Sequence, residues 1–154
     1  MSYYKTLGGK IFPLEKQDVI TLLCKNIVEL VLPEGCKIVD CSDNKLIELI
    51  IPANCKRVDC WNNNLTELII PECCRIVYCW NNNLTELILP KRCETVYCWN
   101  NNLTNLILPE GCKEIDCSFN KLTELIIPEC CEKVWCDLKS LTELNKVKEL
   151  NIVI

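Results

Sequence analysis

Prolines recur along this chain at a fixed interval. Pro33, Pro52, Pro71, Pro90, Pro109 and Pro128 each follow the last by 19 residues, and Pro13 precedes the series by 20. A period this short leaves few choices of fold. One unit holds a single supersecondary element and cannot bury an apolar face alone, so copies must stack into a solenoid with a continuous core.

Alignment on that period exposes the unit. Cys36, Cys55, Cys74, Cys93, Cys112 and Cys131 form one column, and Cys41, Cys60, Cys79, Cys98, Cys117 and Cys136 another. Val39, Val58, Val77, Val96, Ile115 and Val134 lie between them. Asn44, Asn63, Asn82, Asn101 and Asn120 form an asparagine column, with leucines two and five residues later. The unit reads C-x-x-V-x-C-x-x-N-x-L-T-x-L-I-[IL]-P-x-x. V-x-C alternates with period two, as a strand buried on one face does, and each copy adds one parallel strand about 4.8 Å from the last. The asparagine falls where the chain leaves the strand, where its amide can satisfy backbone groups of neighbouring turns. T-E-L-I-I-P is too β-branched and too short for a helix, which predicts an extended or strand-like second side ended by proline.

The unit resembles the leucine-rich repeat, L-x-x-L-x-L-x-x-N-x-L, with cysteine for the first and third leucines and valine for the second. The resemblance covers about residues 17–154 and is similar to the short repeats of some bacterial effectors and of giant-virus and protist proteins. It implies a right-handed leucine-rich-repeat solenoid of about eight rungs with a concave parallel sheet, and protein recognition as its work. The expected organisation is an N-terminal cap segment over 1–16, the solenoid over 17–146 and a C-terminal capping strand over 147–154. In the degenerate first unit Ile20 and Leu22 belong to the strand and Lys25 replaces the asparagine. The final ELNIVI offers a parallel edge able to pair with another chain.

The chain carries 15 cysteines and no histidine, and twelve of those cysteines fall in core columns as small hydrophobes replacing leucine. Neighbouring copies are near enough for a bridge, but their parallel Cβ vectors suit a disulfide poorly. The five-residue column spacing does not match a C-x2-C zinc ribbon, so no metal is expected. Cys24, Cys73 and Cys130 fall outside the columns and are the expected accessible thiols. Without histidine there is no Cys–His dyad, and with four glycines there is no phosphate loop. Neither catalysis nor a cofactor is expected. A net charge of -4 argues against a nucleic-acid partner, and no apolar run reaches a membrane span. The N-terminus shows no signal-peptide pattern, so a cytoplasmic setting is expected, in a host cell if the protein is viral. The Asn64, Asn83 and Asn102 sequons follow from the repeat and read as structural.

Residues alternating with the core valine and cysteine face the concave side. One outward column holds Asp40, Asp59, Tyr78, Tyr97, Asp116 and Trp135; the next holds Ser42, Trp61, Trp80, Trp99, Ser118 and Asp137. Asn62, Asn81 and Asn100 border the latter. Trp61, Trp80 and Trp99 are thus predicted to form an exposed ladder flanked by Tyr78 and Tyr97, a recognition composition. The partner-binding set is these five aromatics with Trp135, Asp40, Asp59, Asp116, Asn62, Asn81 and Asn100. A protein partner comes first and a second copy of the chain is an alternative. A glycan stacked on the Trp/Tyr/Asn face is the rival. On the convex side Val31, Ile50, Ile69, Ile88, Ile107 and Ile126 either face outward beside Glu48, Glu67, Glu86 and Glu124 as a second apolar stripe, or tuck inward.

Overall fold

The computed structural model describes residues 1–137 and the two-residue strand Asn151–Ile152. Among the described residues every regular element is a strand. The short strands β3 (Val19–Thr21), β5 (Ile38–Asp40), β7 (Arg57–Asp59), β8 (Ile76–Tyr78), β9 (Thr95–Tyr97), β10 (Glu114–Asp116), β11 (Lys133–Trp135) and β12 (Asn151–Ile152) form one eight-stranded sheet. Strand order follows chain order, all pairs are parallel, and each register step between the regular copies is the 19-residue repeat (Val58↔Val77, Val77↔Val96). Six regular turns are therefore flanked by one atypical strand at each end. Most of the expected capping strand over 147–154, and its edge, lies outside the described residues; Asn151 and Ile152 pair in parallel with Lys133 and Val134.

The alternation predicted for each rung holds. The central valine or isoleucine of β5 and of β7 to β11 is fully buried, and both cysteine columns lie in the same core as Leu46, Leu65, Leu84 and Leu103. Cysteine suits these positions because its thiol is small and still donates. Cys55 Sγ reaches the Arg57 carbonyl at 3.2 Å and Cys74 Sγ reaches that of Ile76 at 3.3 Å. All fifteen thiols are unpaired, and the three outside the columns are the more accessible ones, Cys24 and Cys130 exposed and Cys73 half-buried.

Proline closes each turn. Its carbonyl accepts the N–H of the core cysteine three residues on, as in Cys55 to Pro52 at 3.1 Å and Cys74 to Pro71 at 2.9 Å. The convex side begins as strands β4 (Ile27–Val31) and β6 (Glu48–Ile50), which pair in parallel, and afterwards, among the described residues, keeps only the bridge Ile107↔Ile126. Of the two orientations left open for the isoleucines, the outward one is found: Ile69, Ile88, Ile107 and Ile126 are 74–81% exposed.

The N-terminal segment adds an element that the repeat pattern did not announce. β1 (Tyr3–Thr6) and β2 (Ile11–Pro13) form an antiparallel hairpin, and β1 pairs antiparallel with β4, covering the first convex strand. Gly9, at φ 80°, makes the turn. The signal was present: Gly8–Gly9 between two aromatic-containing runs is a hairpin pattern.

The buried asparagine column satisfies backbone rather than binding anything. Asn82 Oδ1 accepts the Leu65 N–H at 3.0 Å, while Nδ2 donates to the carbonyls of Cys60, Cys79 and Trp80 at 3.0–3.3 Å. Asn63, Asn101 and Asn120 repeat the pattern. No buried side-chain nitrogen or oxygen among the described residues lacks a partner. The preceding column turns the chain off the strand in the left-handed region: Asp43, Asn62, Asn81, Asn100 and Phe119 all have φ of 53–55°. Asparagine and aspartate tolerate that conformation; a phenylalanine is strained there. Phe119 is also 69% exposed, so little packing compensates. Phe119→Asn is expected to stabilise the fold by about 1 kcal/mol, read as a raised urea midpoint at unchanged slope.

Candidate functional site: the concave aromatic ladder

Strand register decides the geometry of the concave face. Equivalent residues on successive rungs sit one strand spacing apart, so identical flat side chains must stack. Trp61 and Trp80 lie 5.1 Å apart between ring centroids with planes 6° apart; Trp80 and Trp99 lie at 5.9 Å and 10°. Tyr78 and Tyr97 form a second stack at 5.0 Å, and Tyr78 leans on Trp80 at 5.7 Å. Trp135 reaches over the intervening Asp116 rung to meet Tyr97 edge-on at 6.2 Å and 82°. The six predicted aromatics therefore do form one continuous patch.

Two expectations about this face need correction. The ladder is half-buried rather than freely exposed, because each ring covers its neighbour. Asp59 does not project freely toward a partner: it is buried and held by Arg57 through two nitrogens, with Nη2 at 2.7 Å and Nε at 2.9 Å. The Arg57 guanidinium also lies 5.2 Å from the centre of the Tyr78 ring. Asp40 is half-buried and takes the Ser42 hydroxyl at 2.7 Å; Asp116 is half-buried and takes the Ser118 amide at 3.1 Å. Asn62 and Asn100 are exposed and Asn81 half-buried. Their backbone conformation gives them a turn-forming role that period analysis cannot see.

The face is electrostatically uneven. Tyr97 donates to Glu114 Oε1 at 2.7 Å, and Lys133 Nζ approaches the same oxygen at 3.3 Å. Burial, and then the Glu114 acceptor, push the Tyr97 phenol well up, so it remains a donor. Among the described concave columns six carboxylates (Asp40, Asp43, Asp59, Glu114, Asp116 and Asp137) face two cations, Arg57 and Lys133. Burial raises the Cys55 thiol to about 12 and the Cys74 thiol to about 11, which disfavours the thiolate at both. Among the described residues no group of three or more His, Cys, Asp or Glu is placed to hold a metal, and no helix is long and apolar enough to cross a membrane.

A curved parallel sheet of single-strand rungs, joined by extended convex segments and sealed by an asparagine ladder, defines a leucine-rich-repeat-like solenoid. Solved structures of that kind are similar to it. The leucine-rich-repeat domain of a Shigella effector superposes with a TM-score of 0.68 at 23% identity, covering 83% of this chain and 74% of that one. YopM from Yersinia enterocolitica superposes with a TM-score of 0.61 at 24% identity, covering 71% of this chain and 30% of that one. No family model matches the chain, and no curated protein does either. The likeness to both structures concerns the fold.

Proposed function

We propose that this solenoid is a non-enzymatic scaffold that binds a protein through its concave aromatic face, in a reducing, cytoplasmic setting suited to fifteen unpaired thiols. The observation that carries the reading is the stacking itself. Three tryptophans and two tyrosines concentrate on the middle rungs, while the outer rungs of the same columns carry Asp40, Ser42, Asp116, Ser118 and Asp137, with Trp135 the one aromatic there. Large, rigid, half-buried aromatics with a polar rim supply anchors at small entropic cost. The short units also favour kinship with the short repeats of giant-virus, protist and bacterial effector proteins.

The same stacking weighs against the glycan reading. A sugar or a base needs an open ring face, and the inner faces of the ladder are already covered by neighbouring rings. The ring edges and the outer faces of Trp61 and Trp99 remain, too little open face for a run of sugars but enough for protein side chains. A second copy of the chain is the other occupant compatible with such a surface.

Trp80→Ala tests the proposal, since Trp80 touches both neighbouring tryptophans and both tyrosines. Stack loss should cost the fold only about 1–2 kcal/mol. Affinity capture with mass spectrometry should show proteins held by the wild type and reduced at least roughly tenfold by the variant, the loss expected for a central anchor. Light scattering on both chains covers self-association: a dimer that becomes a monomer names the second copy as the partner. Capture and mass both indifferent to Trp80→Ala would remove the concave face from consideration.

A further inference from the structure

The two ends of the aromatic ladder are built differently, and the difference specifies a ligand group. At the N-terminal end Arg57, Asp59 and Tyr78 make a closed set, with the guanidinium on the tyrosine face and both forks on the carboxylate. Strand register places Glu114, Asp116 and Trp135 in the equivalent positions at the C-terminal end, because Asp59 pairs with Tyr78 as Asp116 pairs with Trp135. The carboxylate and the aromatic are repeated there, but a glutamate stands where the arginine was; the one cation beside it, Lys133, is paired with that glutamate at 3.3 Å and is an ammonium rather than a planar fork.

The floor differs as well. Ser42, beside Trp61, is fully buried, whereas Ser118, beside Trp99, is partly open. Asn100 N–H to Ser118 O at 2.9 Å holds the Trp99 and Ser118 rungs side by side. Strand register leaves a notch over Ser118, between Trp99 one rung before it and Asp137 one rung after it, two strand spacings or roughly 10 Å across, with Asp116 on the Ser118 strand and Trp135 on the Asp137 strand. That width admits one planar group stacked on the indole, with carboxylates near its edges.

We propose that this notch receives an arginine guanidinium from the bound protein, repeating with a foreign side chain the arrangement that Arg57 makes within the chain. A planar cation stacks on an indole face and forks onto a carboxylate, which an ammonium does less well. The surplus of carboxylates over the concave columns favours a basic partner segment. The assignment rests on the concave face being the binding surface, but its test is separate.

The probe is N-acetylarginine amide, titrated against the full chain while the four tryptophan indole N–H signals are followed by NMR. Saturable shifts are expected at Trp99 and Trp135, with Trp61 unmoved. Asp116→Asn should weaken the binding roughly fivefold or more, the loss of one charge-assisted pair. Ser118→Trp, which continues the ladder by one ring and fills the notch without removing charge, should abolish the Trp99 shift. The neutral isostere N-acetylcitrulline amide should give none. Equal response to citrulline, equal or stronger response to N-acetyllysine amide or tetramethylammonium, movement of Trp61 instead of Trp99, or no saturable shift by roughly 50 mM would each overturn the assignment. Trp80-dependent capture surviving such a failure would reject the arginine and keep the concave interface.

Discussion

Alkali is expected to unfold this protein abruptly between about pH 9 and pH 10.5, under reductant and without denaturant. The cause is the cysteine core. Burial raises the thiols of Cys36, Cys41, Cys55, Cys60, Cys74, Cys79, Cys93 and Cys98 above their ordinary range, to about 11 for Cys74 and about 12 for Cys55 and Cys93. In the unfolded chain these thiols titrate near their free value of about 8.5. A group whose folded pKa is raised contributes stability that is intact below the unfolded pKa and is lost as pH rises toward the folded one. Above about pH 9 the unfolded state therefore binds fewer protons than the native state, and stability falls by about 1.4 kcal/mol per pH unit per thiol. The seven other than Cys36, pushed far above the ordinary range, together forfeit on the order of 10 kcal/mol within one unit, which rivals the whole stability of a domain this size. Urea midpoints measured from pH 7 to pH 10 should fall ever more steeply. A midpoint that stays level through pH 10 would mean that the thiols are not buried as described. Replacing Cys60, Cys79 and Cys98 together by valine should move the alkaline transition upward.

Asn82→Ala is expected to cost about 3–4 kcal/mol, the largest effect of any single substitution considered for this chain. The change removes the acceptor of the buried Leu65 N–H and the amide whose two hydrogens are shared among three carbonyls. Water cannot replace them at a position 7% exposed. Asn82→Asp should do no better, because its second oxygen faces those carbonyls as an acceptor. The neighbouring letters of the same NNN triplet should behave differently. Asn81 is half-buried and holds φ at 53°, so Asn81→Ala should cost about 1 kcal/mol for the left-handed conformation. Asn83 is exposed and joins the ladder only through its backbone N–H to the Leu65 carbonyl at 2.8 Å, so Asn83→Ala should cost at most about 0.5 kcal/mol. Urea unfolding of the three variants reads this gradation. Three similar losses would mean that the triplet is retained for something other than the turn.

That triplet also shows where sequence reading stops. A repeated N-N-N can be aligned, and its third column can be matched to a known pattern, but identical letters carry no mark of which one bends the chain, which one seals the core and which one faces water. Backbone conformation made that division, since only one of three successive residues can occupy the left-handed position at the turn. The same holds for Asp40, Asp59 and Asp116. They share a column in the sequence, yet Asp59 is neutralised and buried because Arg57 happens to stand on its own strand.

The solenoid, its strand positions, the cysteine and leucine core and the composition of the concave columns were all determined by the sequence alone. A strict 19-residue period leaves one way to bury every repeat, and alternation within V-x-C assigns each side chain to a face. Tertiary structure decided what periodicity cannot encode. Stacking of adjacent rungs turned separate tryptophans into a ladder with its inner ring faces covered, and the N-terminal hairpin found the one convex strand with no preceding copy to pair with. The extended convex segments turned their isoleucines outward because Leu68, Leu87, Leu106 and Leu125 already fill the core side. Those outcomes depend on which neighbours meet in space, and a repeat gives every copy the same letters while its position in the stack gives each copy different neighbours.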